Sequence, residues 1–516
     1  MAHRVIIRPR AYYDSVRLMR ISQALRAEPG VTEAMAMMAT PNNKKILATS
    51  GLLTAEAEAA RPDDLVLALA ATDDAAAEAA VAVAFAALDE RAGGDTGGAP
   101  LPRTLDAAMA VRPDAGLVVI SVPGANAPRE ARRALDLGLN VLLFSDNVPV
   151  ADELALKQHA AEVGRLVMGP DCGTAIIGGA ALGFANVVRR GPVGVVGASG
   201  TGTQEITSLL DWLGTGVSHA IGTGGRDLSA EVGGRTALAA LDLLAADPGT
   251  EVIVLTSKPP AAEVAARVLE HCAGLGKPVV VNFVGSDRSG SDGRITFAPT
   301  LAGAAEAAAR LAGGTAPLPA LDAAARDAFL AAARDGRAPG QRYLRGLYAG
   351  GTLAYEALTL LGDRLGPVHS NLAKGALALT DPFRSTGHTV IDLGEDAYTE
   401  GRAHPMIDPY VRNQRILAEA ADPETALLLL DVVIGYGAHD DPARDLAQTL
   451  AAAQATARDG GRNLPVIVTL CGTTRDPQGH AAQAAQLETA GAIVARSNAE
   501  AVALAAAVME TPAHAA

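Results

Sequence analysis

Gly197-Ala-Ser-Gly-Thr-Gly-Thr-Gln-Glu205 returns later in the chain as Tyr348-Ala-Gly-Gly-Thr-Leu-Ala-Tyr-Glu356. Each copy follows a short apolar run and opens an amphipathic stretch, so each reads as strand, tight turn and helix. Three further echoes keep the same order. His219-Ala-Ile-Gly-Thr-Gly-Gly-Arg-Asp227 returns loosely as His388-Thr-Val-Ile-Asp-Leu-Gly-Glu-Asp396, and Asp247-Pro-Gly-Thr-Glu-Val-Ile-Val-Leu returns as Asp422-Pro-Glu-Thr-Ala-Leu-Leu-Leu-Leu. Lys277-Pro-Val-Val-Val-Asn-Phe-Val-Gly returns as Leu464-Pro-Val-Ile-Val-Thr-Leu-Cys-Gly. Four echoes in one order describe two copies of one α/β fold and do not fit a short solenoid period. The second copy carries an insertion, residues 397–415, that the first lacks.

Working outward, short apolar runs alternate with Ala- and Leu-rich amphipathic stretches, the rhythm of βαβ units in parallel sheets. Strands are expected at residues 5–8, 65–69, 116–121, 141–144 and 166–168, and these form a first Rossmann-like domain over residues 1–190. The first repeat spans residues 191–312, with further strands at 218–221, 252–256 and 278–283. A low-complexity linker rich in Ala, Pro, Asp and Arg covers residues 313–341, and the second repeat covers 342–510. The Gly- and Pro-rich stretch 91–103 reads as a surface loop. At 516 residues, about three domains are expected. Aromatics make up only 3%, so the cores are built from Ala, Val, Leu and Ile.

The 43 Lys and Arg against 57 Asp and Glu leave a net charge of −14. That argues against nucleic acid or an anionic membrane surface as a partner. An anionic substrate must then be attracted locally, by backbone N–H groups at helix N-termini. Cys172, Cys272 and Cys471 lie far apart with no C-x-x-C, which reads as reduced thiols and neither a disulfide framework nor a zinc site. Met1-Ala-His-Arg opens no apolar leader, and no apolar run reaches the ~18–20 residues of a membrane span. A cytoplasmic location is the expectation.

The glycines of the repeated turn let a ligand approach the backbone, and free N–H groups at the helix start suit an anion. Ser199, Gly200, Thr201, Gly350, Gly351 and Thr352 are therefore candidate phosphate-binding residues. The same turns also fit ordinary strand–helix connections with an N-cap. A dinucleotide site wants an acid at the end of the next strand, and Gly216-Val-Ser-His-Ala-Ile-Gly222 supplies none. Met168-Gly-Pro-Asp-Cys-Gly-Thr174 is a turn at the carboxyl edge of a sheet; Asp171 and Cys172 are substrate-site candidates, against a small residue packed in a tight turn. Gly401-Arg-Ala-His-Pro-Met-Ile-Asp-Pro409 lies in the insertion and supplies Arg402, His404 and Asp408, with Arg412 after it. Two prolines stiffen this stretch, and guanidinium groups there suit carboxylate or phosphate oxygens. The bland alternative is a rigid surface turn with solvated charges. Arg226 and Asp227 either pair structurally or face a ligand, and Asp431 with Asp440-Asp441 flanks a third strand-to-helix turn. No spacing marks a metal site.

Ser121-Val-Pro-Gly-Ala-Asn, Asn140-Val-Leu-Leu-Phe-Ser-Asp-Asn147, Gly169-Pro-Asp-Cys-Gly and Ser199-Gly-Thr followed by Glu205 resemble the α subunit of succinyl-CoA synthetase. The second repeat resembles the C-terminal domain of its β subunit. More closely, the whole chain is similar to the FdrA family. The marks are Met37-Met-Ala-Thr-Pro-Asn-Asn-Lys, Phe144-Ser-Asp-Asn-Val, Met168-Gly-Pro-Asp-Cys-Gly-Thr, His404-Pro-Met-Ile-Asp-Pro and Leu430-Asp-Val-Val-Ile-Gly.

The resemblance implies a Rossmann-like CoA-binding-type domain followed by two flavodoxin-like domains of the synthetase type. It also implies phosphate held where the helices opening at Ser199 and Gly350 converge, and a site shared with other subunits of a hetero-oligomeric complex. Arg402 and His404 would orient a second substrate. Glu205 and Glu356 would orient neighbours or act as acid and base, with Asn147 a further substrate-site candidate. Departures are as informative. Gly285-Ser-Asp-Arg-Ser-Gly290 stands where the synthetase carries its phosphohistidine, Arg8-Pro-Arg-Ala-Tyr-Tyr-Asp-Ser15 replaces the CoA phosphate loop, and no ATP-grasp segment precedes the second repeat. The activity associated with the family is oxamate carbamoyltransfer in ureide breakdown, in which oxalurate and phosphate give oxamate and carbamoyl phosphate. The alternatives are an acyl-CoA synthetase subunit, or a non-catalytic scaffold that binds an anion.

Overall fold

The computed structural model describes residues 1–11, 13–89, 101–400 and 402–510, so most of the stretch expected as a loop at 91–103 lies outside the described residues. The chain divides into two compact units, one of Met1–Leu101 with Leu393–Val411, the other of Pro102–Asp392 with Arg412–Ala516.

In the first unit, Leu65–Ala71 is the central strand between Ala2–Arg8 and Val31–Met38, and both pairings are antiparallel. Alternation sets one face: Ala34, Ala36 and Met38 join Leu65, Leu67 and Leu69 in a core closed by Leu18, Ile21 and Leu25 of the helix Ser15–Ala27. Ala77, Ala80, Ala84 and Leu88 of Asp74–Asp89 complete it at helical spacing. Asp14 caps the first helix by accepting the Arg17 amide, and Thr40 caps Pro41–Thr49 by accepting that of Asn43. Residues 1–190, expected as one Rossmann-like domain, thus contribute to three sheets, and the first of these is antiparallel. Short apolar runs carry no sign of strand direction, which is why the sequence rhythm read as parallel.

The second unit begins with a small parallel sheet, Leu117–Ile120, Asn140–Leu143 and Val167–Met168, packed on the helices Ala127–Asp136 and Val150–Glu162. Its two larger sheets are the repeats. In the first, Val217–Gly222, Arg190–Ala198, Val252–Ser257, Val279–Phe283 and Ile295–Phe297 lie side by side and parallel. In the second, His388–Asp392, Tyr343–Tyr348, Thr425–Val433, Val466–Cys471 and Ala492–Ala495 repeat that arrangement. In both, the strand earliest in the chain sits between the second and third, so the loop after it opens at a topological switch point. All four sequence echoes fall on equivalent strands. The strands read as near-continuous apolar runs because both faces are covered: Val193, Val195, Val196, Ile253 and Val254 are fully buried.

Two readings change. The expected insertion is divided, residues 397–411 falling in the first unit and 412–415 in the second, and the expected linker contains the helix Ala323–Asp335, started by Asp322, which accepts the Ala325 amide. No helix among the described residues is long and apolar enough to cross a membrane.

Candidate functional site

The first repeat offers an open helix start. Ser199 caps the helix Gly200–Trp212, its Oγ accepting the Gly202 amide at 2.9 Å. A Cβ added at the exposed Gly200 would meet only Thr174 Oγ1, at 3.5 Å. Thr174 is 3% exposed, and its hydroxyl has no hydrogen-bond partner among the described residues. It closes the turn that starts at Met168, where Asp171 holds a φ of 53°. That turn presses on the edge of the repeat. A Cβ on Gly222 would lie 2.4 Å from Thr174 O and 2.5 Å from Cys172 Sγ, and one on Gly224 would lie 2.3 Å from Pro170 O. Glycine at both positions lets three distant segments converge. The strands flanking the helix start lead into Thr223 and Thr256, whose side chains are neutral; Thr256 Oγ1 donates to Asn282 Oδ1 at 2.9 Å.

The second helix start is closed by the chain's own acids. Asp431 stands where the echo places Thr256, and it accepts the amides of Ala349 and Gly350, each at 2.7 Å. Arg412 donates from Nη1 to Asp431 O at 2.7 Å and lies 3.7 Å from Oδ1. Asp392 stands where the first repeat has Thr223, and a Cβ on Gly351 would fall 2.3 Å from its Oδ2. The two helix starts also touch: Ser199 Oγ and Thr352 Oγ1 are 2.5 Å apart, and the Thr352 amide donates to Thr201 Oγ1 at 3.4 Å. Of the two helix starts expected to cradle phosphate together, the one at Gly350–Thr352 is met by the chain's own carboxylates. At Gly350, Gly351 and Thr352, carboxylates and a hydroxyl already occupy the positions an anion would take. Arg412 serves the Asp431 plug.

Glu205 and Glu356 are each 1% exposed and reach across the repeats. Glu205 accepts the amide of Asn498, which starts the last helix of the second repeat, at 3.0 Å. Glu356 accepts the amide of Leu301, which starts the last helix of the first, at 2.8 Å. Asn498 Nδ2 also donates to Glu356 Oε2 at 2.8 Å, and Tyr348 Oη donates to Asn498 Oδ1 at 3.2 Å. Burial pushes Glu205 up to about 7 and raises Glu356. These contacts orient helices and leave neither carboxylate as an acid or base for a substrate.

Burial pushes the Cys172 thiol up to about 12, so the nucleophile reading fails at neutral pH. Arg226 pairs with the buried Glu153 at 3.0 Å and donates to Val148 O, while Asp227 accepts Lys157 Nζ and the amides of Thr236 and Ala237. Both are structural. Asn147 is exposed at a φ of 52°. Arg402, His404 and Asp408 belong to the first unit. His404 Nδ1 accepts the Met406 amide at 3.2 Å, burial lowers the imidazole to about 4, and Asp408 Oδ1 accepts the Tyr410 amide at 3.2 Å. Thr174 closes a quoted motif and was within reach of sequence reading. Asp392 ends the apolar run of a quoted echo, but its aim at Gly351 shows only in three dimensions, and Asn498 carries no sequence signal because its role exists only once the repeats are packed.

Three family models match the chain: one described as CoA-ligase over residues 347–508, one as CoA binding domain over 188–285, and one as AllF, heavy metal-associated domain, over 1–101. The metal description does not fit these residues. Residues 1–101 contain no cysteine, and no group of three or more His, Cys, Asp or Glu among the described residues is placed to hold a metal ion. The chain is 43% identical over 503 residues to the uncharacterized protein YahF of Escherichia coli strain K12, covering 96% of this chain and 97% of that one. It is 33% identical over 173 residues to subunit alpha 2 of the ADP-forming succinate–CoA ligase of Archaeoglobus fulgidus, across 32% of this chain and 58% of the relative. To SauD, a subunit of the ADP-forming sulfoacetate-CoA ligase of Bilophila wadsworthia, it is 28% identical over 180 residues, across 34% and 60%.

Proposed function

We propose that this chain, which belongs to the family of the Escherichia coli protein YahF, is the anion-binding subunit of a carbamoyltransferase built on CoA-ligase-type domains. The reaction is phosphorolysis of a ureido acid, with oxalurate and phosphate giving oxamate and carbamoyl phosphate. The observation that carries this reading is the open helix start at Ser199–Thr201 beside the Thr174 hydroxyl, which has no partner among the described residues. A helix N-terminus holds about half a positive charge and aims N–H groups at an anion, which suits a chain of net charge −14. Phosphate there takes the helix amides and the Thr174 hydroxyl. Attack by a phosphate oxygen on the ureido carbonyl forms the new C–O bond as the C–N bond to oxamate breaks, and the leaving nitrogen takes up a proton. The oxyanion that develops benefits from the same positive helix end.

The second reading is an acid–thiol ligase subunit, favoured by the CoA-binding and CoA-ligase matches. Such a ligase needs a phosphoryl carrier. Gly285–Gly290 supplies no histidine. His404 has its Nδ1 engaged as an acceptor, which leaves the proton on Nε2, the atom a phosphoryl group would need. A scaffold role predicts no effect of the helix start on turnover.

The test is turnover by the chain reconstituted with its partner subunits, supplied with oxalurate and phosphate but neither ATP nor CoA. Carbamoyl phosphate should form, and Gly200→Val should abolish it while the complex still assembles. Formation of a CoA thioester with an acid-labile phosphoenzyme would replace this reading with the ligase. Unchanged turnover in Gly200→Val would leave the scaffold.

A further inference from the structure

Two motifs far apart in sequence meet inside the first unit, and the function proposed above uses neither. Thr40-Pro-Asn-Asn-Lys-Lys caps and opens the helix Pro41–Thr49, and Arg402-Ala-His-Pro-Met-Ile-Asp-Pro-Tyr410 lies along it. Asn42 Nδ2 donates to Glu400 Oε2 at 3.2 Å near the start of that helix, and Ser50 Oγ lies 3.4 Å from Tyr410 Oη at its end. Two guanidinium groups pack on the Tyr410 ring: Arg26 with Cζ 4.6 Å from the centroid, and Arg402 at 5.7 Å.

Most polar groups here have partners in the unit. Arg26 Nη1 donates to Ala34 O at 3.1 Å, Asp408 Oδ1 accepts the Tyr410 amide, and His404 Nδ1 accepts that of Met406. Arg402 is different. Its Nη1 is buried and has no hydrogen-bond partner among the described residues. A guanidinium nitrogen withdrawn from water without an acceptor destabilises the fold. An acceptor from outside the chain would offset that cost, and a planar fork beside a second arginine matches a planar carboxylate.

We propose that the first unit is a binding module for a small carboxylate, with Arg402 as the residue that grips it and the Arg26–Tyr410 stack as the wall that fixes the guanidinium plane. This inference stands apart from the anion seat at Ser199, which lies in the other unit and can fail without it.

The test uses the full chain and thermal melts with sodium oxalate, sodium acetate, inorganic phosphate and sodium chloride as probes. Oxalate should raise the wild-type melting temperature by at least about 2 °C beyond chloride. Arg402→Met should melt at or above the ligand-free wild type, because a buried guanidinium nitrogen without an acceptor is gone, and should lose the oxalate response. Arg402→Lys keeps the charge without the fork and should bind oxalate at least about fivefold more weakly. Gly200→Val should keep the oxalate response, and Arg402→Met should keep any phosphate response, which separates the two sites. The proposal is overturned if neither oxalate nor acetate shifts the wild type, or if Arg402→Met retains the response. It is equally overturned if Arg402→Met melts well below the wild type, since Arg402 would then be a satisfied structural cation.

Discussion

Glu205 Oε1 accepts the Asn498 amide at 3.0 Å, so a carboxylate on the first helix of one repeat caps the last helix of the other. Glu356 returns the contact to Leu301 at 2.8 Å. A capping carboxylate usually sits at its own helix start. Here the two are exchanged, and each repeat completes its partner's helix. The Glu that ends both echoed motifs is what makes the exchange symmetric. Neither repeat separated from the other would keep all its helix amides paired, so the two should unfold as one cooperative block.

The exchange has a pH signature. Burial raises Glu205 to about 7 from an ordinary 4.5. Between those values the folded chain holds a proton that the unfolded chain has released, so this group's contribution to stability is largest on the acid side. It falls as pH rises through 7 and is flat above. Glu205→Gln keeps the acceptor for Asn498 without the charge. It should melt higher than wild type at pH 8, and the difference should shrink toward pH 5. Melting curves across that range check it; a wild type that gains on the variant as pH rises would refute the assignment.

The two helix-start glycines should respond oppositely to valine. A Cβ at Gly200 meets only Thr174 Oγ1 at 3.5 Å, an ordinary contact, whereas at Gly351 it would fall 2.3 Å from Asp392 Oδ2. Gly200→Val should fold and weaken phosphate binding by at least tenfold, about 1.4 kcal/mol. Gly351→Val should destabilise the chain by roughly 1–3 kcal/mol through overpacking and leave the phosphate affinity of the folded fraction unchanged. Chemical denaturation and phosphate-induced melting shifts on both variants separate the two outcomes.

The repeats were legible because order and spacing survive without any knowledge of packing: Asp247-Pro and Asp422-Pro, Lys277-Pro and Leu464-Pro, lead into equivalent strands. The first unit was not. Val5 to Arg8 and Leu65 to Leu69 announce strands, but an apolar run reads the same in either direction, and Ala2–Arg8 proved antiparallel to Leu65–Ala71. Membership of Leu393–Val411 in that unit rests on tertiary contact alone. At the site, glycines and hydroxyls marked both helix starts equally. What distinguishes them is two positions at the neighbouring strands, threonine at 223 and 256 against aspartate at 392 and 431, whose aim at the turn appears only in three dimensions.

Thr174 tests the open seat directly. Its hydroxyl is buried without a partner, so Thr174→Val removes a polar atom at nearly constant volume. Unlike the usual Thr to Val change, it breaks no hydrogen bond seen among the described residues, and stability should hold or rise by up to about 1 kcal/mol. If the hydroxyl serves a bound phosphate, affinity should fall several-fold. Calorimetric titration of phosphate into both proteins decides it: equal affinity would leave Thr174 a packing residue.

The plug at the second helix start predicts rescue by a small anion. Asp431 is fully buried, and although burial raises its pKa, Arg412 and the amides of Ala349 and Gly350 favour the carboxylate. Asp431→Ala leaves two helix amides without their acceptor and the buried Arg412 without the carboxylate 3.7 Å from it, though with the backbone oxygen it donates to, and it should cost about 3–5 kcal/mol. The gap left is the size of the lost carboxylate. Formate matches it in charge, geometry and volume, and the helix start that held Asp431 is an anion site once vacated. Sodium formate at about 100 mM should therefore raise the melting temperature of Asp431→Ala by several degrees relative to sodium chloride, and leave wild type and Thr256→Ala unmoved. A formate effect equal in all three proteins would mean that Asp431 fills space in the core without occupying an anion seat.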